Sequence, residues 1–249
     1  MLKLAKAEIY RFFKSGIFSK VLIALSVLIP IVNLVGAWAF KIHDKSLDIF
    51  LMESQMPLLM IALLAFPTVF CVYNGTAYNS RLAYYEIMDG NKPLKIVATK
   101  ILSLGLIVST ILYVPFALMC GIVGAVNGFG AMENPILFFV LTYVLFSHIV
   151  IVAMLYSMLS RNLILSSFVP YIRFGILDLI IAMFSETYFL ADGKEVPGFM
   201  NILTYNQLAH ITDSVYSNSM IVYTILSALV EIVIASILVI MVYRKKKFK

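Results

Sequence analysis

The chain has 249 residues, of which 62% are hydrophobic and only 13% charged; its mean hydropathy is +0.97 and its formal net charge +6. A water-soluble domain carries about 25% charged residues, so this composition excludes a soluble fold and makes lipid the solvent for most of the surface. The cations are spread along the chain, which reads as a membrane-surface signature and not as a nucleic-acid footprint.

The first twenty residues, MLKLAKAEIYRFFKSGIFSK, have helical periodicity. At 100° per residue Lys3, Lys6, Arg11 and Lys14 share an arc of about 140°, while Leu2, Ala5, Ile9, Phe12 and Phe13 share a separate arc of about 100°. Residues 1–20 are therefore expected to lie as an amphipathic helix in the inner interface, cations toward anionic lipid head groups and Phe rings at the acyl boundary. Six apolar runs follow, at roughly 21–40, 56–76, 101–125, 136–159, 163–184 and 220–243, each near the 20 or so residues that cross a bilayer. The first lacks a small-residue cleavage site and exceeds a signal-peptide core, so it is expected to be a retained span. Pro30, Pro67 and Pro115 fall inside spans, where they can bend helices.

Between the second and third runs stands SRLAYYEIMDGNKPLKIVATK, residues 80–100, with four cations and two acids. Residues 80–88 can form a helix with Ala83, Tyr84, Ile87 and Met88 on one side. DGNKP signals a turn, Gly90 suits a positive φ, and Pro93 suits the first turn of a following helix. A protruding helix–turn–helix with Tyr84, Tyr85, Ile87 and Met88 on its surface calls for a soluble partner to cover it. Outer loops 41–55 and 126–135 are short. Residues 185–219 include VPGFMNILTYNQLAHITDSVY, too apolar for a solvated linker and too interrupted to span, so an outer re-entrant or interfacial hairpin is expected.

Lys3, Lys6, Arg11, Lys14 and Lys20, then Arg81, Lys92, Lys95 and Lys100, then Arg161, and finally five cations in YRKKKFK share one side of the membrane under this layout. Only Lys41, Lys45 and Lys194 fall on the other, so both termini are expected in the cytoplasm. Cys71 and Cys120 lie within spans as reduced thiols. With His43, His148 and His210 scattered, no metal constellation is expected. Asn74-Gly75-Thr76 matches a glycosylation sequon, by chance at the inner end of a span.

Three charges fall inside spans: Arg173, Asp178 and Glu231. Arg173 lies about ten residues from the inner end of its run and Glu231 about eleven from the outer end of the last, so both sit near mid-membrane. They are expected to pair. Asp178, five residues beyond Arg173, would stand about 140° away around an α-helix and is expected to face a wetter outer region. The competing expectations are a late helix start at Pro170 that lets Arg173 snorkel inward, and a proton or ion relay. There is no GxxxxGK[ST], GxSxG or HExxH. Neither a catalytic residue nor a cofactor bound by this chain is expected, so uphill work would draw its energy from elsewhere.

The opening LAKAEIYRFFKS, the insert SRLAYYEIMDGNKPLKIVATK ending in a lysine at the third span, and the apolar outer segment before the sixth together resemble the ABC-2 family of ABC exporter permeases. The similarity is to its small six-span subunits paired with a separate ATPase. It covers the whole chain and rests on the order of the parts. It implies an all-α integral membrane protein, one transmembrane domain over 1–249, with a coupling helix between spans 2 and 3 and a hairpin between spans 5 and 6. It also implies a second permease subunit (homo- or heterodimer) and ABC ATPase subunits that bind ATP-Mg. Arg81, Ala83, Tyr84, Tyr85, Ile87 and Met88 would then form the ATPase-coupling helix. Many family members lead into that helix with an acidic residue and a Gly-Thr pair; here Asn79 and Ala83-Tyr84 stand in those places. Spans rich in Phe, Leu, Ile and Met suit export of an amphipathic peptide or lipid-like substrate across the cell membrane. The alternative is an ATP-independent secondary transporter or channel using Arg173, Asp178 and Glu231; a membrane scaffold or sensor is a third reading.

Overall fold

The computed structural model describes residues 2–39, 41, 43–53, 64–79, 90–132, 134–160, 162–178, 180–181, 183–184, 202–204, 206–207 and 218–245; all regular structure among them is helical. The helices are α1 (Leu2–Lys14), α2 (Ile17–Ala39), α3 (Leu47–Glu53), α4 (Phe66–Asn79), α5 (Pro93–Lys100), α6 (Leu106–Asn127), α7 (Pro135–Ser160), α8 (Leu163–Pro170) and α9 (Asn218–Lys245). Two π-helical stretches, Ile101–Gly105 and Tyr171–Leu177, continue α5 into α6 and extend α8.

Four of these stretches are long and apolar enough to cross a membrane: Ile17–Ala39, Pro93–Asn127, Pro135–Ser160 and Asn218–Arg244. The other two expected spans are covered only in part. Residues 54–63 lie outside the described residues, so α4 shows only the later half of the second run, and Leu163–Leu177 is a shorter apolar helix. Most of 185–219 also lies outside them.

The expected third span starts earlier than its hydropathy suggests. Pro93 sits at the first helical position, where its missing N–H costs nothing, and Lys92 before it is extended (φ −64°, ψ 141°), as a residue preceding proline must be. Nothing then breaks the helix until Gly128 takes φ +84°, so one rod of 35 residues runs from the cytoplasmic turn expected at Gly90 into the core. Gly90 itself takes φ +77°.

The surface is inverted relative to a soluble protein. α2 turns Val27, Val35 and Trp38 outward and α9 turns Val222, Leu229 and Val233 outward, apolar stripes that only hydrocarbon solvates without penalty. The core sits around α7, which is buried without interruption from Leu145 to Leu155 and packs against α9, α4, α6 and α8. Some interior hydroxyls return to their own helix, as Ser103 does to the Thr99 carbonyl (2.7 Å) and Thr142 to the Phe138 carbonyl (2.7 Å), which satisfies them without water. α4 presses on α8 at Gly75, where a Cβ would stand 3.1 Å from the Leu163 Cα. The sequon asparagine, Asn74, is 3% exposed and donates to the Phe70 carbonyl.

At the end of the bundle away from Pro93, the segment before α3 is laced to the turn after α6. Leu47 N–H donates to the Gly128 carbonyl (3.0 Å) and the Asn127 amide to the His43 carbonyl (2.6 Å). Asp48 accepts from the Ser46 hydroxyl (2.5 Å) and the Ala131 N–H (3.0 Å). Partial burial pushes the Asp48 carboxyl up, but these donors outweigh it and hold the group below its ordinary value.

Candidate functional site

Polar groups gather at two depths. The deeper cluster grows out of a helix irregularity. α8 begins at Leu163, capped by the Asn162 side chain accepting from Ile164 N–H (2.8 Å), so Pro170 does not delay the helix. Pro170 lies within it, lacks an N–H and crowds the preceding turn. The backbone responds with the π-helical stretch Tyr171–Leu177, in which the Asp178 N–H reaches the Arg173 carbonyl five residues back.

That spacing overturns the expected geometry. In a π-helix, residues five apart stack on one side, so Asp178 stands beside Arg173 and accepts from its Nη1. Asp178 does not face a wetter region: it is 1% exposed, and its other oxygen accepts the Thr204 N–H (2.9 Å). Arg173 also grips Glu231 of α9 in a two-pronged contact, Nε to Oε1 at 2.7 Å and Nη2 to Oε2 at 2.8 Å. It does not snorkel inward. The planar guanidinium matches a carboxylate edge in this way.

Glu231 has two further partners on α7. Tyr156 Oη donates to Oε1 (3.1 Å), and His148 Nε2 lies 2.9 Å from Oε2. Sequence reasoning set His148 aside as a lone histidine and did not single out Tyr156 or Thr204. The available signal was spacing: His148 is thirteen residues into α7 and Glu231 thirteen into α9, or about 20 Å along each rod. Beside the cluster an open, mostly apolar cavity of about 420 Å³ is lined by Tyr156, Leu159, Ser160, Val169, Ile172, Arg173 and Leu177. Chemically the arrangement is a tie among three elements and a reservoir of charge. Among the described residues no group of three or more His, Cys, Asp or Glu could hold a metal.

The shallower cluster joins α1 to α5. Glu8 is 2% exposed; its Oε1 accepts from Lys100 Nζ (2.5 Å) and its Oε2 from Arg11 Nη2 (2.6 Å). Phe12, fully buried, packs edge-on to Tyr73 of α4 at 5.4 Å, and Arg11 Nε approaches the Tyr73 hydroxyl at 3.4 Å. Lys3, Lys6 and Lys14 stay exposed and Ile9 is half-buried. Arg11 therefore departs from the expected cationic face and turns inward, because the buried carboxylate of Glu8 one turn away draws it. Phe13, on the arc expected to meet the acyl boundary, is 51% exposed. Glu8 was legible only as the one acid in an otherwise basic helix.

The residues expected to form the coupling helix, Arg81, Ala83, Tyr84, Tyr85, Ile87 and Met88, lie outside the described residues. Comparison with family models, with curated proteins and with solved structures yields no match to this chain.

Proposed function

We propose that the chain is the transmembrane permease subunit of an ATP-driven exporter of the ABC-2 type, six-spanning, with both termini in the cytoplasm of a cell-membrane protein. A separate ABC ATPase would supply the energy, binding ATP-Mg, and a second permease subunit would complete the pathway for an amphipathic peptide or lipid-like substrate. The observation that carries this reading is the union of the amphipathic helix with the rod that follows the cytoplasmic insert. Lys100, the eighth residue of that rod, is 4% exposed and holds the buried Glu8 of α1, so a push delivered at residues 80–92 would move both. The exposed Lys3, Lys6 and Lys14 suit an anionic inner leaflet.

The test is affinity purification of the tagged protein in detergent, with and without Tyr84→Ala/Ile87→Ala. Co-purification of a nucleotide-hydrolysing ATPase, lost in the folded double variant, is the expected result. A folded protein that never carries an ATPase overturns the proposal. The mid-membrane cluster of Arg173, Asp178, Glu231 and His148 favours a second reading, an ATP-independent transporter. Ion or substrate flux in proteoliposomes containing this chain alone would establish it.

A further inference from the structure

We propose that the cavity between α7 and the π-helical stretch binds an uncharged acyl lipid, its chain lying on the apolar wall and its ester carbonyl accepting from Arg173. The cavity holds about 420 Å³, within the range of small-ligand sites, which are mostly apolar with a few placed polar groups. One wall is the end of α7, from Tyr156 to Ser160; the other carries Val169, Ile172, Arg173 and Leu177. That second wall includes the π-helical stretch after Pro170, an irregularity frequent at functional sites. Ile172 and Leu177 are 50% and 47% exposed, so the mouth opens among apolar side chains that hydrocarbon solvates. The ligand enters from the bilayer.

Arg173 selects the head of that ligand. A guanidinium carries five N–H donors. Three are engaged, Nε and Nη2 by Glu231 and Nη1 by Asp178. The Tyr156 hydroxyl is near enough to occupy a fourth, which leaves at least one among the described residues. Phe174 lies 5.3 Å from Cζ, ring centroid to carbon, and its ring engages a guanidinium face and no in-plane donor. The Arg173 side chain is 19% exposed and lines the cavity. Hydrocarbon offers no water to a remaining N–H, so an acceptor on the ligand is favoured there. The acceptor must be uncharged. Arg173 already faces two carboxylates, and an anionic head would bring a third negative charge into a low-dielectric site. A cationic head would meet the guanidinium, because neither Asp178 nor Glu231 lines the cavity. An ester carbonyl on an aliphatic chain meets both conditions. This names the lipid-like class within the permease reading and rests on that reading only for the ligand being cargo.

The experiment reads fluorescence quenching in detergent micelles. The chain's single tryptophan is removed and a reporter placed at the cavity mouth, as Trp38→Phe/Leu177→Trp. Three probes share one dibrominated eighteen-carbon chain: a monoacylglycerol, ionised stearate and the plain alkane. The expected result is saturable quenching by the monoacylglycerol. The alkane, which lacks the acceptor, binds about three- to tenfold more weakly, and stearate about tenfold or more. Val169→Phe fills the cavity away from the charge cluster and abolishes saturation, while an uncharged leucine tripeptide amide fails to displace the ester. Quenching that rises linearly as micelle partitioning does, equal binding of stearate or alkane, displacement by the tripeptide, or an unchanged Val169→Phe each overturns the proposal. If Val169→Phe does not fold, the ranking of the three probes decides alone. No ATPase is needed for the measurement, so the proposal and the permease reading fail separately.

Discussion

Leucine substitutions at Arg173, Glu231 and Asp178 give a graded series that the geometry of the cluster orders in advance. Glu231→Leu removes both oxygens of the two-pronged contact at 2.7 and 2.8 Å and strips Tyr156 and His148 of their shared acceptor. Breaking one partner of a buried ion pair costs about 3–5 kcal/mol. Arg173 keeps Asp178, and the Arg173 and Glu231 side chains retain 19% and 17% exposure, so this variant belongs at the lower end, about 3 kcal/mol. Arg173→Leu leaves two carboxylates without their cation and belongs at the upper end, about 5 kcal/mol. The Arg173→Leu/Glu231→Leu double variant recovers only part of that loss, because Asp178 remains buried with its charge. Adding Asp178→Leu recovers most of the remainder. Equilibrium unfolding in mixed detergent micelles reads each value, and the coupling follows from the cycle. A double variant as stable as the parent would show that Asp178 does not share the charge balance. Strict additivity of the single effects would refute the cluster itself.

Lys100→Met should leave the buried Glu8 to Arg11 and loosen α1, at the lower end of the cost of breaking a buried pair, about 3 kcal/mol, whereas the exchanged pair Glu8→Lys/Lys100→Glu restores part of it; protease access at Ser15-Gly16 reports the release. Gly130→Ala drives a Cβ into the Asp48 carboxylate at a residue with φ +66°. Strain at such a φ costs about 1 kcal/mol or more, and the clash adds to it, so faster amide exchange is expected across Asn127–Ala131. The depressed value of Asp48 means that its contribution is complete above the ordinary carboxylate range and is lost as pH falls through the lowered value. Amide protection of Ala131 should thus decline below about pH 4 in the parent and already be low at neutral pH in Asp48→Ala.

The sequence made the class of fold and the pairing of Arg173 with Glu231 legible, since hydropathy and depth are both counted in residues along a helix. It hid Asp178 because the angle between positions 173 and 178 was taken from an α-helix, and the proline-induced π geometry moved the carboxylate round to the arginine. Glu8 was hidden for a related reason. A helical wheel assigns faces by residue type, and an acid that pairs across 92 positions with Lys100 leaves no periodic trace. His148 looked isolated because its partner, Glu231, comes from α9, which only the packing brings to α7.

These placements give the two charge clusters different mechanical roles. The pair Glu8–Lys100 lies near the Pro93 end of the Pro93–Asn127 rod, immediately before the π-helical stretch Ile101–Gly105, and α5 packs against α1 and α9. A π-helical stretch adds a residue to the turn and is a natural site of bending, so displacement of α5 need not carry the whole rod with it. α9 packs against both α5 and α7, while Glu231, thirteen residues into it, pins it to Arg173 and His148. A push on α5 would therefore reach α9, which the cluster holds in place. The strength of the pin, set by charge balance at Arg173, then decides whether α9 pivots or resists.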